Sequence, residues 1–222
     1  MKDSDPIIPL FPLSLVVFPG HLVPLHIFEE RYKKMVADCA TAGGDYRPFG
    51  ISLEQDGHVV DIGCAVTVTR VTEKYEDGSF DVVCRARSRY RTVEAIDDGP
   101  YLRGRVEYFE DNAEAVDPAL QALVKERFRR LVDLAAAEAG TQILDGEGAK
   151  EAAAKGLEEG DSWAIAQRMG LEPGRKQRLL EMRSENARLQ HLAEYLEELL
   201  PVLVERMERK RRVKSNGHTH EV

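Results

Sequence analysis

A stretch of 22 residues from Ile7 to Phe28 carries no formally charged side chain, which is enough length to cross a bilayer. Four prolines interrupt it: Pro9, Pro12, Pro19 and Pro24. Each proline inside a helix costs about 3 kcal/mol and leaves backbone groups that hydrocarbon cannot satisfy. The stretch therefore predicts extended β segments joined by a turn at Pro19-Gly20, and no membrane helix.

Export signals and redox chemistry are also not indicated. The start "MKDSDP" is net acidic, and no small-residue cleavage site follows it. The three cysteines form no C-x-x-C or C-x-x-H pair, so neither a disulfide framework nor a zinc site is predicted. We expect buried thiols in a cytoplasmic protein.

The first half of the chain has the pattern of a β domain. Short runs rich in valine and isoleucine alternate with turn signals at Asp56-Gly57 and Asp77-Gly78, the second of which predicts a long hairpin. One short helix is expected over 31–42. About six strands and one helix up to Phe109 are typical of a barrel or a sandwich.

The second half is helical. Asp117-Pro118 is a typical helix start, Asp161 or Ser162 can cap a second helix, and Ser184 can cap a long one. Pro201 is expected to kink or restart that long helix. A glycine-rich connector separates the first two helices between Gly140 and Gly160. Strands followed by helices make an α+β chain.

No catalytic motif is evident in the sequence. The sequence contains no G-x-x-x-x-G-K-[ST] phosphate loop and no G-x-S-x-G nucleophile elbow. His21, His26 and His58 lie in strand regions, where we interpret them as structural residues. The sequence predicts no enzyme, no metal site and no cofactor.

Arginines at alternate positions form the one charged pattern that suggests a site. Period two would place four of them on one face of a strand, and the next strand repeats the pattern with two more. The six residues are Arg85, Arg87, Arg89, Arg91, Arg103 and Arg105. We favour a solvated sheet face with carboxylate partners across the strands. The alternative is a ridge that binds an acidic peptide, phosphate or RNA.

Several motifs in a fixed order carry a family resemblance. "IPLFPLSLVVFPGHLVPLHIFEERYKKMV", "DIGCAVTVTRV", "DGSFDVVCRARSRYRTVE" and the later "KQRLLE" together resemble the N-terminal, substrate-binding domain of Lon protease. The resemblance covers most of residues 7–205. It implies a PUA-like β-barrel followed by a helical bundle, with Phe18 and Phe28 in the core.

The resemblance implies the following organisation and role. A barrel subdomain would span 1–112, a helical bundle 113–214 with a flexible connector at 140–160, and a disordered tail 215–222. The family carries over no catalytic residues, and the ATPase and peptidase domains are not in this sequence. We expect a non-enzymatic module that binds protein or unfolded polypeptide through exposed apolar side chains, sheet edges or the groove between barrel and bundle.

The expected partners are therefore proteins. One candidate is a protease or chaperone system encoded elsewhere. Nucleic acid is the alternative partner, against which the net charge of −8 argues. Contact with a membrane is not expected.

Overall fold

Six β-strands lie in the part of the chain that the structure describes, a computed structural model covering residues 5–139 and 161–216. They are β1 (Ile7–Leu13), β2 (Leu22–Ile27), β3 (Phe49–Gln55), β4 (His58–Lys74), β5 (Phe80–Ile96) and β6 (Arg103–Phe109). Helix α1 (Glu30–Cys39) follows β2. The prediction of about six strands and one helix up to Phe109 is confirmed.

The strands pair in the order β2-β5-β4-β3-β1-β6, and β6 pairs with β5 as well. Starting from β5, the pairing passes through β4, β3, β1 and β6 and comes back to β5, so each of these five strands has two paired neighbours within this circuit. The first part of β5, from Phe80 to Arg85, pairs with β2, while Arg89 to Ile96 pair with β6. β1 and β3 run parallel, and the other pairs are antiparallel. Strand β2 thus pairs on one side only within the described residues.

The predicted turns are present where glycine or aspartate takes a left-handed conformation. Gly20 follows β1 with φ +84°, and Gly78 in the β4–β5 turn has φ +78°. Asp56 and Gly57 both have positive φ, 53° and 75°, the backbone that a two-residue hairpin turn requires. These short turns fix which side chains of each strand face inward.

The core of the sheet region is apolar and includes the three cysteines, all of which are free and buried. Phe18 is fully buried, as predicted. The prediction that Phe28 is a core residue is wrong, because 60% of its surface is exposed. Phe28 follows the end of β2 in phase with the solvent-facing side chains of that strand, so its ring points outward.

A tyrosine and two glycines form a tight contact inside the sheet. Tyr90 is buried, and its hydroxyl forms a 2.7 Å hydrogen bond with Ser52 Oγ. A Cβ atom on Gly50 or Gly63 would lie 2.3 or 2.4 Å from the Tyr90 oxygen. These glycines are therefore required by the close approach of the ring.

Four further helices follow the sheet among the residues that the structure describes: α2 (Pro118–Ala139), α3 (Ser162–Arg168), α4 (Pro173–Glu181) and α5 (Glu185–Asn216). The predicted caps are present, since Asp117 Oδ1 accepts from Ala119 N at 2.9 Å and Asp161 accepts from Ala164 N at 2.7 Å. Pro201 lies inside α5 and does not divide it. None of the described helices is both long and apolar enough to cross a membrane.

The structure divides into two compact units. The first contains Met1–Asp111 with Glu172–Glu181, and the second contains Asn112–Leu171 with Met182–Val222. Helix α4 thus groups with the sheet, where Gln177 Nε2 donates to Ile62 O at 3.0 Å. The predicted bundle over 113–214 includes this helix, and the proposed subdomain boundaries stay a prediction.

Within the second unit, α2 packs on α5 through buried residues such as Val124 and Phe128 on α2 and Leu196 on α5. The guanidinium of Arg188 is buried there and donates to Ser162 Oγ and to Glu185. The predicted connector at 140–160 and the last six residues of the predicted tail lie outside the described residues.

Candidate functional site

The predicted arginine ridge does not form one continuous face. Cys64 pairs with Arg89 and Val66 with Ala86, so two residues of β5 oppose one residue of β4. This β-bulge places Arg87 and Ser88 side by side at the surface and shifts the alternation that follows.

Arg89 has a structural position. Its side chain is only 4% exposed, and it forms an ion pair with Asp111. Its Nη1 donates to Leu180 O at 3.0 Å, and its guanidinium lies 4.6 Å from the centroid of the Phe109 ring. The buried guanidinium therefore joins β5 to the end of β6 and to α4 within the first unit.

The other predicted arginines have different surroundings. Arg85 donates weakly to Gly20 O at 3.4 Å. Arg103 pairs with Asp98 at 2.5 Å, and Arg105 pairs with Glu94 at 3.0 Å. Arg87 and Arg91 are exposed. Binding of an anion or partner by these six residues stays a prediction, and three of them, Arg89, Arg103 and Arg105, already have carboxylate partners.

A different surface presents apolar side chains at the unpaired edge of the sheet. Along β2, Val23, Leu25 and Ile27 are buried, whereas Leu22, Pro24 and His26 are exposed. Leu22 and Phe28 are 51% and 60% exposed. We call Leu22, Pro24, His26, Phe28 and the adjacent Tyr75 the edge strip.

The aromatic end of the edge strip is held by polar contacts. The His26 ring stacks on Phe28 with centroids 5.8 Å apart and meets Tyr75 edge-on at 5.7 Å. Asp81 accepts from both neighbours, from His26 Nδ1 at 2.6 Å and from the Tyr75 hydroxyl at 2.8 Å. These bonds lower the pKa of the Asp81 carboxyl, the contact with His26 most.

The backbone of β2 is open along the same edge. Ala86 N donates to His21 O at 2.8 Å, which fixes the phase of the antiparallel pair. Since main-chain groups alternate between the two sides of a strand, Leu22 and His26 direct N–H and C=O groups away from β5. Pro24 lies in the outward row, where its missing N–H costs no bond to β5.

A cleft of about 340 Å³ adjoins the strip. It lies between α1 and the end of the β4–β5 hairpin, and Tyr75 belongs to both the cleft and the strip. Its apolar lining includes Val36, Ala37, Val71 and Phe80. A cleft of this size is large enough for one or two apolar side chains of an extended chain.

A second cleft, of about 550 Å³, lies elsewhere on the first unit. Arg103 lines it together with Arg47, Tyr101 and Tyr108. Tyr101 donates to Asp38 Oδ2 at 2.9 Å, and burial together with this bond raises the pKa of Tyr101 to about 12. Arg47 donates to the backbone oxygen of Asp38, and Arg103 pairs with Asp98, so much of the polar lining of the cleft is already bonded. The cleft therefore offers a partner less than the edge strip does.

The described residues provide little that could act as a nucleophile or a metal site. Burial raises the pKa of Cys39 to about 11 and that of Cys64 and Cys84 to about 12, so all three remain neutral thiols near pH 7. No group of three or more metal-ligating side chains occurs among the residues that the structure describes.

Sequence reasoning anticipated binding at a sheet edge but did not identify β2 as that edge, because it placed Phe28 in the core. The signal was present as a period of two, since Leu22, Pro24, His26 and Phe28 alternate with three β-branched or leucine residues. The contact of Tyr75 with His26 could not be predicted, because it joins positions distant in sequence.

These features define a small α+β module with an exposed apolar sheet edge. The family model of the ATP-dependent protease La (LON) substrate-binding domain matches residues 7–198, and the chain belongs to this family.

Solved structures agree with this assignment. The chain is similar to a Lon N-terminal domain protein from Xanthomonas campestris, with a TM-score of 0.63 and 27% identity, over 86% of this chain and 98% of that one. The N-terminal domain of Mycobacterium avium complex Lon protease shares the fold at a TM-score of 0.61 and 20% identity, over 88% of this chain and 100% of that one.

Curated relatives are much longer proteins. A Lon protease from Anaeromyxobacter dehalogenans (strain 2CP-C) and Lon protease 2 from Myxococcus xanthus are each 26% identical over 144 residues, which is 60% of this chain. The chain spans 17% of the length of these relatives. The matching part is the substrate-binding domain.

Proposed function

We propose that this chain is a non-enzymatic module that binds unfolded or extended polypeptide at the edge strip. The observation that carries the proposal is the outward row of Leu22, His26 and Phe28 on a sheet edge whose main-chain groups have no strand partner among residues 5–139 and 161–216. Membership of the substrate-binding domain family supports it.

The binding mode would be strand addition. An extended segment can pair with the outward N–H and C=O groups of Leu22 and His26, while its alternate side chains contact Phe28 and the cleft beside Tyr75. Because β2 has only six residues and Pro24 offers no donor, main-chain bonds alone would give weak binding. The exposed aromatic rings would contribute the remainder of the affinity.

A titration tests this function. A labelled unfolded polypeptide is titrated with the purified chain at low and moderate salt, with fluorescence anisotropy as the signal. We expect saturable binding, and we expect Leu22→Ser with Phe28→Ser to weaken it about tenfold, the effect of losing about 1.4 kcal/mol. Both side chains are largely exposed, so the free energy of unfolding should change by less than about 0.5 kcal/mol.

Val93→Ser is the matched control, since Val93 is an exposed apolar residue of β5 outside the strip. It should leave the affinity unchanged. Absence of saturable binding by the unaltered chain would refute polypeptide binding. Equal losses in the control and the strip variant would refute the assignment to the strip.

We also propose that the paired strands form a PUA-like barrel and that the chain acts in the cytoplasm. Its partner would be a protein substrate or a protease or chaperone system encoded elsewhere. RNA binding through Arg87 and Arg91 is the alternative function, which the same titration with single-stranded RNA tests. Phosphate contacts would make that affinity fall with salt, with a log–log slope of about −0.7 per contact.

A further inference from the structure

The electrostatic surroundings of the edge strip differ from those of an ordinary apolar edge. Residues 73–81, at the end of the β4–β5 hairpin, contain four carboxylates and one lysine, Lys74. The four are Glu73, Glu76, Asp77 and Asp81. Lys33 of α1 also reaches the hairpin, where its Nζ donates to Asp77 O at 3.4 Å. Four carboxylates against Lys33 and Lys74 leave the hairpin end net negative where it meets the rings of the strip.

The pKa of Tyr75 is raised because these carboxylates lie close to its hydroxyl. Its hydroxyl donates to Asp81, which raises its pKa, and the negative charges of Asp81, Glu73 and Asp77 raise it further. Three carboxylates thus act on one exposed aromatic side chain of the strip.

Acidic residues on the other side of the strip are already neutralised. Glu29 pairs with Arg31 at 2.8 Å, and Glu30 pairs with Lys33 at 2.9 Å. The net negative charge beside the strip therefore comes mainly from the hairpin end, where Lys33 and Lys74 offset part of it.

The exposed aromatic rings and the neighbouring carboxylates together favour a cationic partner. The faces of exposed phenylalanine and tyrosine rings attract Lys and Arg side chains, and carboxylates beside the rings add ionic attraction. An acidic segment would be repelled at the same place. A second copy of this chain is also disfavoured, because the chain has a net charge of −8 and two copies would repel each other.

We infer that the edge strip prefers extended polypeptide segments in which apolar side chains alternate with Lys or Arg. This inference rests on the proposed function, since it names the class of polypeptide that the same surface binds. The apolar side chains would contact Leu22, Phe28 and the cleft, and the cationic ones would lie between the rings and the hairpin carboxylates.

The test uses three short synthetic peptides that share the same leucine and phenylalanine residues at alternate positions. The intervening positions are all Lys, all Glu or all Ser. We expect the Lys peptide to bind the full chain at least about tenfold more tightly than the Glu peptide at low salt, with the Ser peptide between them and the differences shrinking as salt is added.

Glu73→Gln with Asp77→Asn removes two of the charges. The asparagine can still accept the bonds that Asp77 Oδ1 receives from the Ser79 N–H and hydroxyl, so the turn should persist. We expect about a fivefold loss of affinity for the Lys peptide and no loss for the Ser peptide. Asp61→Asn with Glu107→Gln removes two exposed charges elsewhere on the first unit and should change neither affinity.

The outcomes separate the two claims. If the three peptides bind equally, the preference for cationic segments is overturned, whereas polypeptide binding stands. If none of them binds and the unfolded polypeptide also fails to bind, the proposed function fails as well. A dimer in sedimentation that is lost in the Leu22→Ser and Phe28→Ser variant would assign the edge to a second copy of the chain and overturn the inference.

Discussion

Arg89 separates a scaffold role of the arginine strand from a binding role. Arg89→Ala removes a guanidinium that is 4% exposed, together with its ion pair to Asp111 and its bond to Leu180 O. Leaving a buried carbonyl without a donor costs about 1–3 kcal/mol. Breaking a buried ion pair costs about 3–5 kcal/mol, of which Asp111 recovers part because its side chain is 33% exposed. We expect a loss of about 3 kcal/mol in the free energy of unfolding.

Urea unfolding followed by circular dichroism measures this loss. A loss of 3 kcal/mol corresponds to a decrease of about 6–12 °C in the melting temperature of a chain of this size. Amide hydrogen exchange adds a local readout, since α4 accepts the Arg89 bond and its amides should exchange faster in the variant. Arg87→Ala is the matched control, because Arg87 is exposed two residues away and should cost less than about 0.5 kcal/mol.

The binding assays complete the test. In the scaffold interpretation, Arg89→Ala lowers stability and leaves RNA and phosphate affinity unchanged in the folded fraction. An Arg89→Ala protein as stable as the unaltered chain, with a large loss of anion affinity, would refute the reasoning.

Two further predictions follow from the core. Gly63→Ala would place a methyl group 2.4 Å from the Tyr90 hydroxyl and from a backbone oxygen. We therefore expect the free energy of unfolding, measured in urea, to fall by about 2 kcal/mol and to recover in part when Tyr90→Phe is added. An unchanged urea midpoint would contradict the close packing of Tyr90 on Gly63. The cysteines have raised pKa values and are buried, so Ellman's reagent at pH 8 should react with them only after unfolding, and rapid reaction of any thiol in the folded protein would contradict their burial.

Local chemistry made much of the fold predictable. Asp56-Gly57 and Gly78 mark turns because aspartate and glycine tolerate positive φ, and Asp117 and Asp161 cap helices because their carboxylates accept backbone N–H groups. These signals depend on a few adjacent residues, so the sequence contains them in full.

The candidate site depended on packing between distant segments. The bulge at Arg87 and Ser88 depends on how β4 and β5 align, and even alternation could not indicate it. Helix α4 has an apolar face that could pack on a helical bundle or on a sheet. The contacts of Gln177 with Ile62 and of Arg89 with Leu180 show that it packs on the sheet. The exposure of Phe28 depends on β2 having only one neighbouring strand, β5, in the described part of the chain.

The place of β1 in the sheet affects how the chain can be synthesised. β1 is made first, but its antiparallel partner β6 emerges about a hundred residues later, roughly 5–20 s at ribosomal speed. During that interval the apolar strand β1 lacks one of its two neighbouring strands and is prone to aggregate. Pro9 and Pro12 lie within β1, and each removes a backbone N–H donor with which a strand of another protein could pair. The prolines that exclude a membrane helix thus also act as gatekeepers for the nascent chain.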